Sequence, residues 1–235
     1  MAEPRAFAVD EEAERAVYGP MSRVRLEFLP DPAGKTVVDV GGGNGNFGFP
    51  YALAGARVIV VDLDRRGLQA VPPPAHATRA SLLRLPLRDA SVDAVIGRAI
   101  LHHVPDALPG AVDEIHRVLR PGGGLLIQEP CAGNLPAAVA RRYVPTERHE
   151  PGERVLPLRA YVAAIAGRLE VRQVLPHFLI SYLLPHAVSR LAPGRRGMAR
   201  RLTALSAWAD AALLAKLPHL DGRAAYVSVV ARKPA

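Results

Sequence analysis

The chain has 235 residues, 49% of them hydrophobic, enough to build one sizeable core as a single α/β domain with elaborations. A net charge of +8 and a pI near 10.2 are carried almost wholly by arginine, since Lys35, Lys216 and Lys233 are the only lysines; this charge suits nucleic acid, an anionic membrane or an acidic substrate, or reflects a compositional bias towards Ala, Arg, Pro and Gly. One cysteine, Cys131, excludes an internal disulfide and a thiolate metal cluster, and no uninterrupted apolar run is long enough to span a bilayer.

The first residues, MAEPRAFAVDEEAERA, are acidic and show no basic-then-apolar leader pattern, which predicts a cytoplasmic protein. Residues 10–29 carry Val17, Met21, Val24 and Phe28 at helical spacing and predict one helix, or two broken at Gly19-Pro20. Residues 30–34 link it to the stretch TVVDVGGGNGNFGFPYALAGARVIVVDLD, residues 36–64, which reads as strand, glycine turn, helix, strand. Val37, Val38 and Val40 suit a strand buried on both faces, as in a parallel sheet. Gly41, Gly42 and Gly43 let the backbone turn tightly while a ligand lies against it. A helix starting near Asn46 would point its free amides and positive dipole end at the same crevice, where open α/β sheets bind ligands.

Two carboxylates frame that crevice, Asp39 before the glycines and Asp62 at the tip of the second strand, residues 57–61. A carboxylate at the second tip suits the two hydroxyls of a ribose. Gly43-Asn44-Gly45-Asn46-Phe47-Gly48 also fits the GxGxxG dinucleotide fingerprint and permits a nicotinamide oxidoreductase. Asp39 argues against a diphosphate there and favours a ligand carrying positive charge.

Residues 65–70 predict a short helix ended by three prolines, 76–80 a third strand, and 92–97 a fourth, with Arg98 at its carboxyl tip. His102 and His103 enter a helix running from residue 106 to 119. Arg120 to Gly124 turns it into a fifth strand, residues 125–129, which lands Glu129 and Pro130 beside the crevice. Residues 132–157 are dense in polar side chains, with His149 and Tyr143 the first and second choices for a base, and read either as an acceptor site or as an exposed loop. Residues 158–167 predict a helix, 169–174 a sixth strand and 226–232 a seventh, antiparallel strand. Between these two strands, residues 178–220 form an insertion with a helix bearing Met198, Leu202, Leu205, Ala209, Ala212 and Leu213 on one face. Basic residues precede it, among them Arg195, Arg200 and Arg201. That face packs on the sheet or on a second copy of the chain, or lies on a membrane or a lipid-linked substrate.

DVGGGNG, VVDLD, LPLRDASVDAV, AILHHV and LRPGGGLLIQEP, in this order over residues 36–130, resemble the class I S-adenosylmethionine-dependent methyltransferases, in the small-molecule branch grouped with ubiquinone-type enzymes. The resemblance implies a Rossmann-like seven-stranded sheet, six strands parallel and the last antiparallel, with helices on both faces. It divides the single domain into a helical lid over residues 10–30, a cofactor-binding core over 36–130 and substrate-side insertions at 131–157 and 178–220. It implies S-adenosylmethionine as cofactor and S-adenosylhomocysteine as product, held by Asp39, Gly41, Gly43, Asn44, Gly45, Asp62, Leu63, Ser81, Leu82 and Arg98, with no metal. Tyr18 becomes a candidate lid residue, unless the helix only docks on the core through its apolar stripe. Ser81 stands where the family commonly has an acid for the adenine amino group, and a neighbouring backbone amide, that of Leu82, would meet a ring nitrogen. Arg98 is unusual at this tip for the family, and reads as a binder of the cofactor carboxylate or an acidic acceptor, or else as a solvated arginine. His103 is a candidate base, or a packing and helix-entry feature together with His102.

The expected reaction is in-line methyl transfer to a small-molecule or natural-product acceptor, acidic or lipid-linked in one version. No nucleic-acid module is visible, yet transfer RNA stays open because of the charge. A pericyclic catalyst or regulatory subunit using the cofactor without its methyl group also stays open, as does a homodimer.

Overall fold

The computed structural model of the protein describes residues 11–138, 154–182 and 196–235, with residues 11–18, 196 and 198–200 described by backbone alone. Seven strands form one sheet in the order β3-β2-β1-β4-β5-β7-β6. These are β1 (Thr36–Val40), β2 (Arg57–Asp62), β3 (His76–Arg79), β4 (Val92–Arg98), β5 (Leu119–Pro130), β6 (Glu170–His177) and β7 (Tyr226–Arg232). The pairs among β1 to β5 are parallel, and β7 runs antiparallel between β5 and β6, so six strands share one direction. The strand order reverses between β1 and β4, which opens the crevice at their carboxyl ends.

Burial on both faces explains the valine-rich strands. Val38, Val40, Val61 and Val95 pack on one side with α4 (Leu108–Val118) and α5 (Leu158–Ala166). Val37, Val58, Val60, Ala94 and Ile96 pack on the other with α2 (Phe49–Leu53), α3 (Arg65–Gln69) and the end of α1 (Glu11–Phe28). The first helix is continuous through Pro20, which settles the choice between one helix and two. Met21 is buried and its carbonyl accepts a 2.8 Å bond from Gln128 Nε2 of β5, while Phe28 lies against Gly124. This is how α1 docks on the sheet; the Tyr18 side chain lies outside the described residues.

Several boundaries differ from expectation. The helix after the glycine turn begins at Phe49, not near Asn46, and has five residues. Asp39 Oδ2 captures the Gly48 amide at 2.8 Å, and Pro50 is tolerated only in a first turn. The helix expected from residue 106 starts at Leu108, after two short 3-10 turns, Leu101–His103 and Pro105–Ala107. β5 takes in the glycine-rich stretch before it, because Leu119 and Gly124 both pair with β4 across an irregular register. β6 runs to His177, three residues past expectation, since its pairing with β7 continues to Tyr226.

The described leucines of the apolar stripe on the last helix, α6 (Arg196–Lys216), do not pack on the sheet, which leaves a second copy, a membrane or a lipid-linked substrate among the expected partners. Leu205 is 62% exposed and Leu202 and Leu213 are each 39% exposed, whereas Thr203 and Asp210 are buried. The buried Asp210 carboxylate accepts the amides of Leu179, Ile180 and Ser181 and the Ser181 hydroxyl. That set of bonds fixes the rotation of the helix with its leucines and Trp208 outward.

Candidate functional site

The glycine turn is laid over β1 and β2 by backbone bonds from Gly41 N to Val61 O (2.7 Å) and from Gly45 N to Gly42 O (2.8 Å). Gly41 has φ +64°, and a Cβ there would run into the Ile100 side chain. Gly43 has φ +53°, and a Cβ there would meet nothing within 4 Å. A side chain at Gly43 would project into open crevice, so the turn leaves a cradle for a ligand.

Asp62 and Asp39 hold this turn in different ways. Asp62, at the tip of β2, accepts the Gly43 amide on Oδ2 and the Asp64 amide on Oδ1, each at 2.8 Å. Each oxygen keeps a further lone pair for a ligand hydroxyl. Asp39 lies fully buried, with Oδ2 on Gly48 N and Oδ1 without a partner. Burial pushes its carboxyl up to about 7, against the pull of the Gly48 amide and the nearby Arg98 and Arg25. The expectation that Asp39 frames the crevice as a plain negative charge is therefore corrected: desolvation holds much of it protonated near neutral pH, and a cationic ligand would ionise it.

The two arginines share an aromatic neighbour. Arg25 and Arg98 place their guanidinium carbons 5.5 and 5.4 Å from the Phe47 ring centroid, and Arg25 Nη1 donates to Phe47 O at 3.3 Å. Arg98 is exposed at the tip of β4. Arg25 Nε is buried without a partner among the described residues, and desolvation pulls its pKa down. Sequence reasoning missed Arg25 and Phe47; an arginine on the helix preceding a glycine turn was the available signal.

Beyond Asp62, Leu63 is 61% exposed, and its carbonyl accepts from Arg79 Nε at 3.0 Å. Ser81 Oγ accepts the Leu83 amide at 3.2 Å, and the Leu82 side chain is buried in the core. Asn44 is exposed, and its Oδ1 accepts the Asn46 amide at 3.4 Å. These residues share the carboxyl-end rim formed by β1, β2 and β3.

At the tip of β4, Ala99 takes φ +55°, a left-handed conformation that costs a non-glycine residue about 1–2 kcal/mol. Its amide is held by Gln128 O at 2.8 Å. The reversal aims three successive amides at the buried Glu129: Ile100 N and Leu101 N reach Oε1 at 2.8 Å, and His102 N reaches Oε2 at 3.3 Å. His102 Nδ1 lies 2.9 Å from the same Oε2. The His103 ring sits 4.3 Å from that of His102, centroid to centroid, and His103 is exposed. The tie between His102 and Glu129, 27 residues apart, could not be read from local spacing. His149 and Tyr143 lie outside the described residues. Among the described residues no group of three His, Cys, Asp or Glu side chains could hold a metal ion, and no helix is long and apolar enough to cross a membrane.

Comparison with known proteins follows the same geography. A family model described as a methyltransferase domain matches residues 38–127, from β1 to β5. An uncharacterized methyltransferase of Mycobacteroides abscessus is 36% identical over 136 residues, covering 50% of this chain and 52% of the relative, so the chain spans about half the length of that curated protein. Among solved structures, the [4+2]-cyclase SpnF superposes with a TM-score of 0.63 at 21% identity, covering 92% of this chain and 80% of its own. Geranyl diphosphate C-methyltransferase from Streptomyces coelicolor, solved with Mg2+, geranyl diphosphate and S-adenosyl-L-homocysteine, superposes with a TM-score of 0.64 at 16% identity, covering 99% and 88%. At these identities the structural likenesses concern the fold.

Proposed function

We propose that this chain, whose residues 38–127 match a methyltransferase domain, is a class I S-adenosylmethionine-dependent enzyme that methylates a small-molecule acceptor. The observation that carries the reading is the glycine cradle at Gly43, open on the ligand side and locked from below by the Asp62 carboxylate. The unpartnered Asp39 oxygen beneath the same turn fits a cofactor bearing positive charge.

Bound there, S-adenosylmethionine supplies an electrophilic methyl group on a sulfonium. Asp62 accepts the ribose hydroxyls with its remaining lone pairs while holding Gly43 in place. Gly41, Gly43 and Gly45 pass backbone close to the ligand, and Asn44 borders it from the turn. Leu63 offers an apolar surface to the base, with Ser81 accepting from it and the Leu82 amide donating to it. Arg98, together with Arg25 across the Phe47 ring, binds the carboxylate end. Asp39 balances the positive charge from below. Most of the rate acceleration comes from alignment of the acceptor with the methyl group, for which effective molarities reach ~10⁵ M or more.

The test is calorimetric titration of the protein with S-adenosylmethionine, S-adenosylhomocysteine and NADH, with Asp62→Ala beside the wild type. Micromolar binding of both sulfur ligands, lost in the variant and absent for NADH, is the expected result. Binding of NADH alone would overturn the reading. Methyl-labelled cofactor then separates a transferase, which passes label to an acceptor, from a protein that binds the cofactor without spending its methyl group.

A further inference from the structure

We propose that the protein holds a second ligand site at the amino end of the sheet, for a small organic anion: a carboxylate or a phosphate monoester carried on an apolar body. The site is separate from the crevice and stands independently of the methyl-transfer reading.

A cavity of about 630 Å³ opens there, within the ~300–1,000 Å³ of small-molecule sites. Its floor is the sheet where β4 and β5 begin and β7 ends, and one wall is the last turns of α1 with the residue that follows. Cavity and crevice lie at opposite ends of the same strands. Ala94 lines the cavity and Arg98 stands at the crevice, and the four residue steps of β4 between them span about 13 Å.

The lining combines an apolar surface with cations. Val24, Phe28, Leu29 and Val230 pack on the core but are only partly buried, so their outer surfaces face the cavity. A Cβ on Gly122 would meet nothing within 4 Å, so bare backbone completes that surface. Around it stand Lys35, Arg120, Arg172 and Arg232, against the two carboxylates of Glu27 and Asp93. Arg120 is held by Asp93 Oδ1 at 2.8 Å, and the other oxygen of Asp93 accepts the Thr36 amide at 2.8 Å. Arg172 is held by Glu170 at 2.7 Å. Lys35 and Arg232 are exposed, with no ion-pair partner among the described residues, and Glu27 is the lining carboxylate left to oppose them.

Arg232 offers a fork of donors that matches a carboxylate or phosphate, and Lys35 adds a point charge on a flexible stem. A neutral apolar ligand would leave both cations without a partner. An inorganic anion would leave the apolar surface wet. Only a ligand with both parts satisfies both halves of the lining.

The test is calorimetric titration of the full chain with 2-naphthoate and 2-naphthyl phosphate, with and without saturating S-adenosylhomocysteine. Neutral 2-naphthalenemethanol and inorganic phosphate serve as the separate halves. At least one naphthyl anion should bind one to one, unaffected by S-adenosylhomocysteine and at least about tenfold more tightly than either half, and should weaken in high salt. Which anion binds identifies the headgroup. Lys35→Ala with Arg232→Ala, both at exposed positions, should weaken that anion at least about tenfold and leave the affinity for S-adenosylhomocysteine unchanged. Amide NMR should place the shifts caused by the anion at residues 122–124, a readout that needs no variant. Failure of both anions to bind at millimolar concentration, equal binding of the neutral compound, displacement by S-adenosylhomocysteine, or an affinity unchanged in the double variant would each overturn the proposal.

Discussion

Replacing Asp39 by asparagine should separate the cost of this carboxylate from its use. Burial raises its folded-state pKa from the ordinary 3.8 to about 7. The folded chain therefore holds the proton more tightly than the unfolded chain, and stability falls as pH rises from 3.8 to about 7, then levels off. At about 1.4 kcal/mol per pH unit the whole rise amounts to about 4 kcal/mol. Asn keeps an oxygen for the Gly48 amide and cannot ionise, but it puts an NH₂ where Oδ1 now lies unpartnered, which costs about 1–3 kcal/mol. The variant should thus be about 1–3 kcal/mol more stable than wild type at pH 8. Its advantage should shrink by about 3 kcal/mol by pH 5, where it becomes level or slightly less stable. Urea unfolding at pH 5 and pH 8 measures this directly. Calorimetry at pH 7.5 should show S-adenosylmethionine weakened tenfold or more, and the product, which has lost its sulfonium, weakened less. A stability difference that stays constant between pH 5 and 8 would refute the reasoning.

His177 provides a pH effect of opposite sign. Its ring is buried against the Ser228 hydroxyl at 2.8 Å, and desolvation pulls its pKa from 6.5 down to about 4. Its contribution is complete above 6.5 and is lost as pH falls towards 4, about 3 kcal/mol in all; subtracting the urea curve of His177→Gln from that of wild type isolates it from Asp39. Gly43→Ala should cost only about 1–2 kcal/mol of stability, for a left-handed alanine in open space, yet weaken S-adenosylmethionine at least tenfold by calorimetry, because the methyl group enters the cradle. Asp210→Ala removes the acceptor for three amides and a hydroxyl and should destabilise the protein by about 3 kcal/mol or more in urea unfolding. Trp208, the single tryptophan and 71% exposed, should fluoresce as a water-exposed indole at low protein concentration; a blue shift on concentration or on adding anionic vesicles would identify what covers the outward face of α6.

The sequence by itself determined the parts whose physics is local. Val37, Val38 and Val40 can only suit a doubly covered strand, Gly41 to Gly45 can only suit a turn with left-handed residues, and Asp62 falls at the next strand tip because the intervening chain is short. The strand count and the antiparallel last strand followed once the five segments from residue 36 to 130 were read together, and the match to a methyltransferase domain covers that same interval. Tertiary structure decided everything that depends on what lies across a gap of tens of residues. It buried Asp39 under the turn it stabilises, and so changed a plain negative charge into a group near its midpoint at neutral pH. It rotated α6 through the bonds of Asp210, turning outward a stripe whose partner periodicity alone had left open. It joined Glu129 to His102 by bending the chain at Ala99, a residue whose sequence carries no sign of left-handed backbone. The reason is common to all three: helix, strand and turn preferences act over a few residues, whereas desolvation and buried hydrogen bonds act between groups that only the completed sheet brings together.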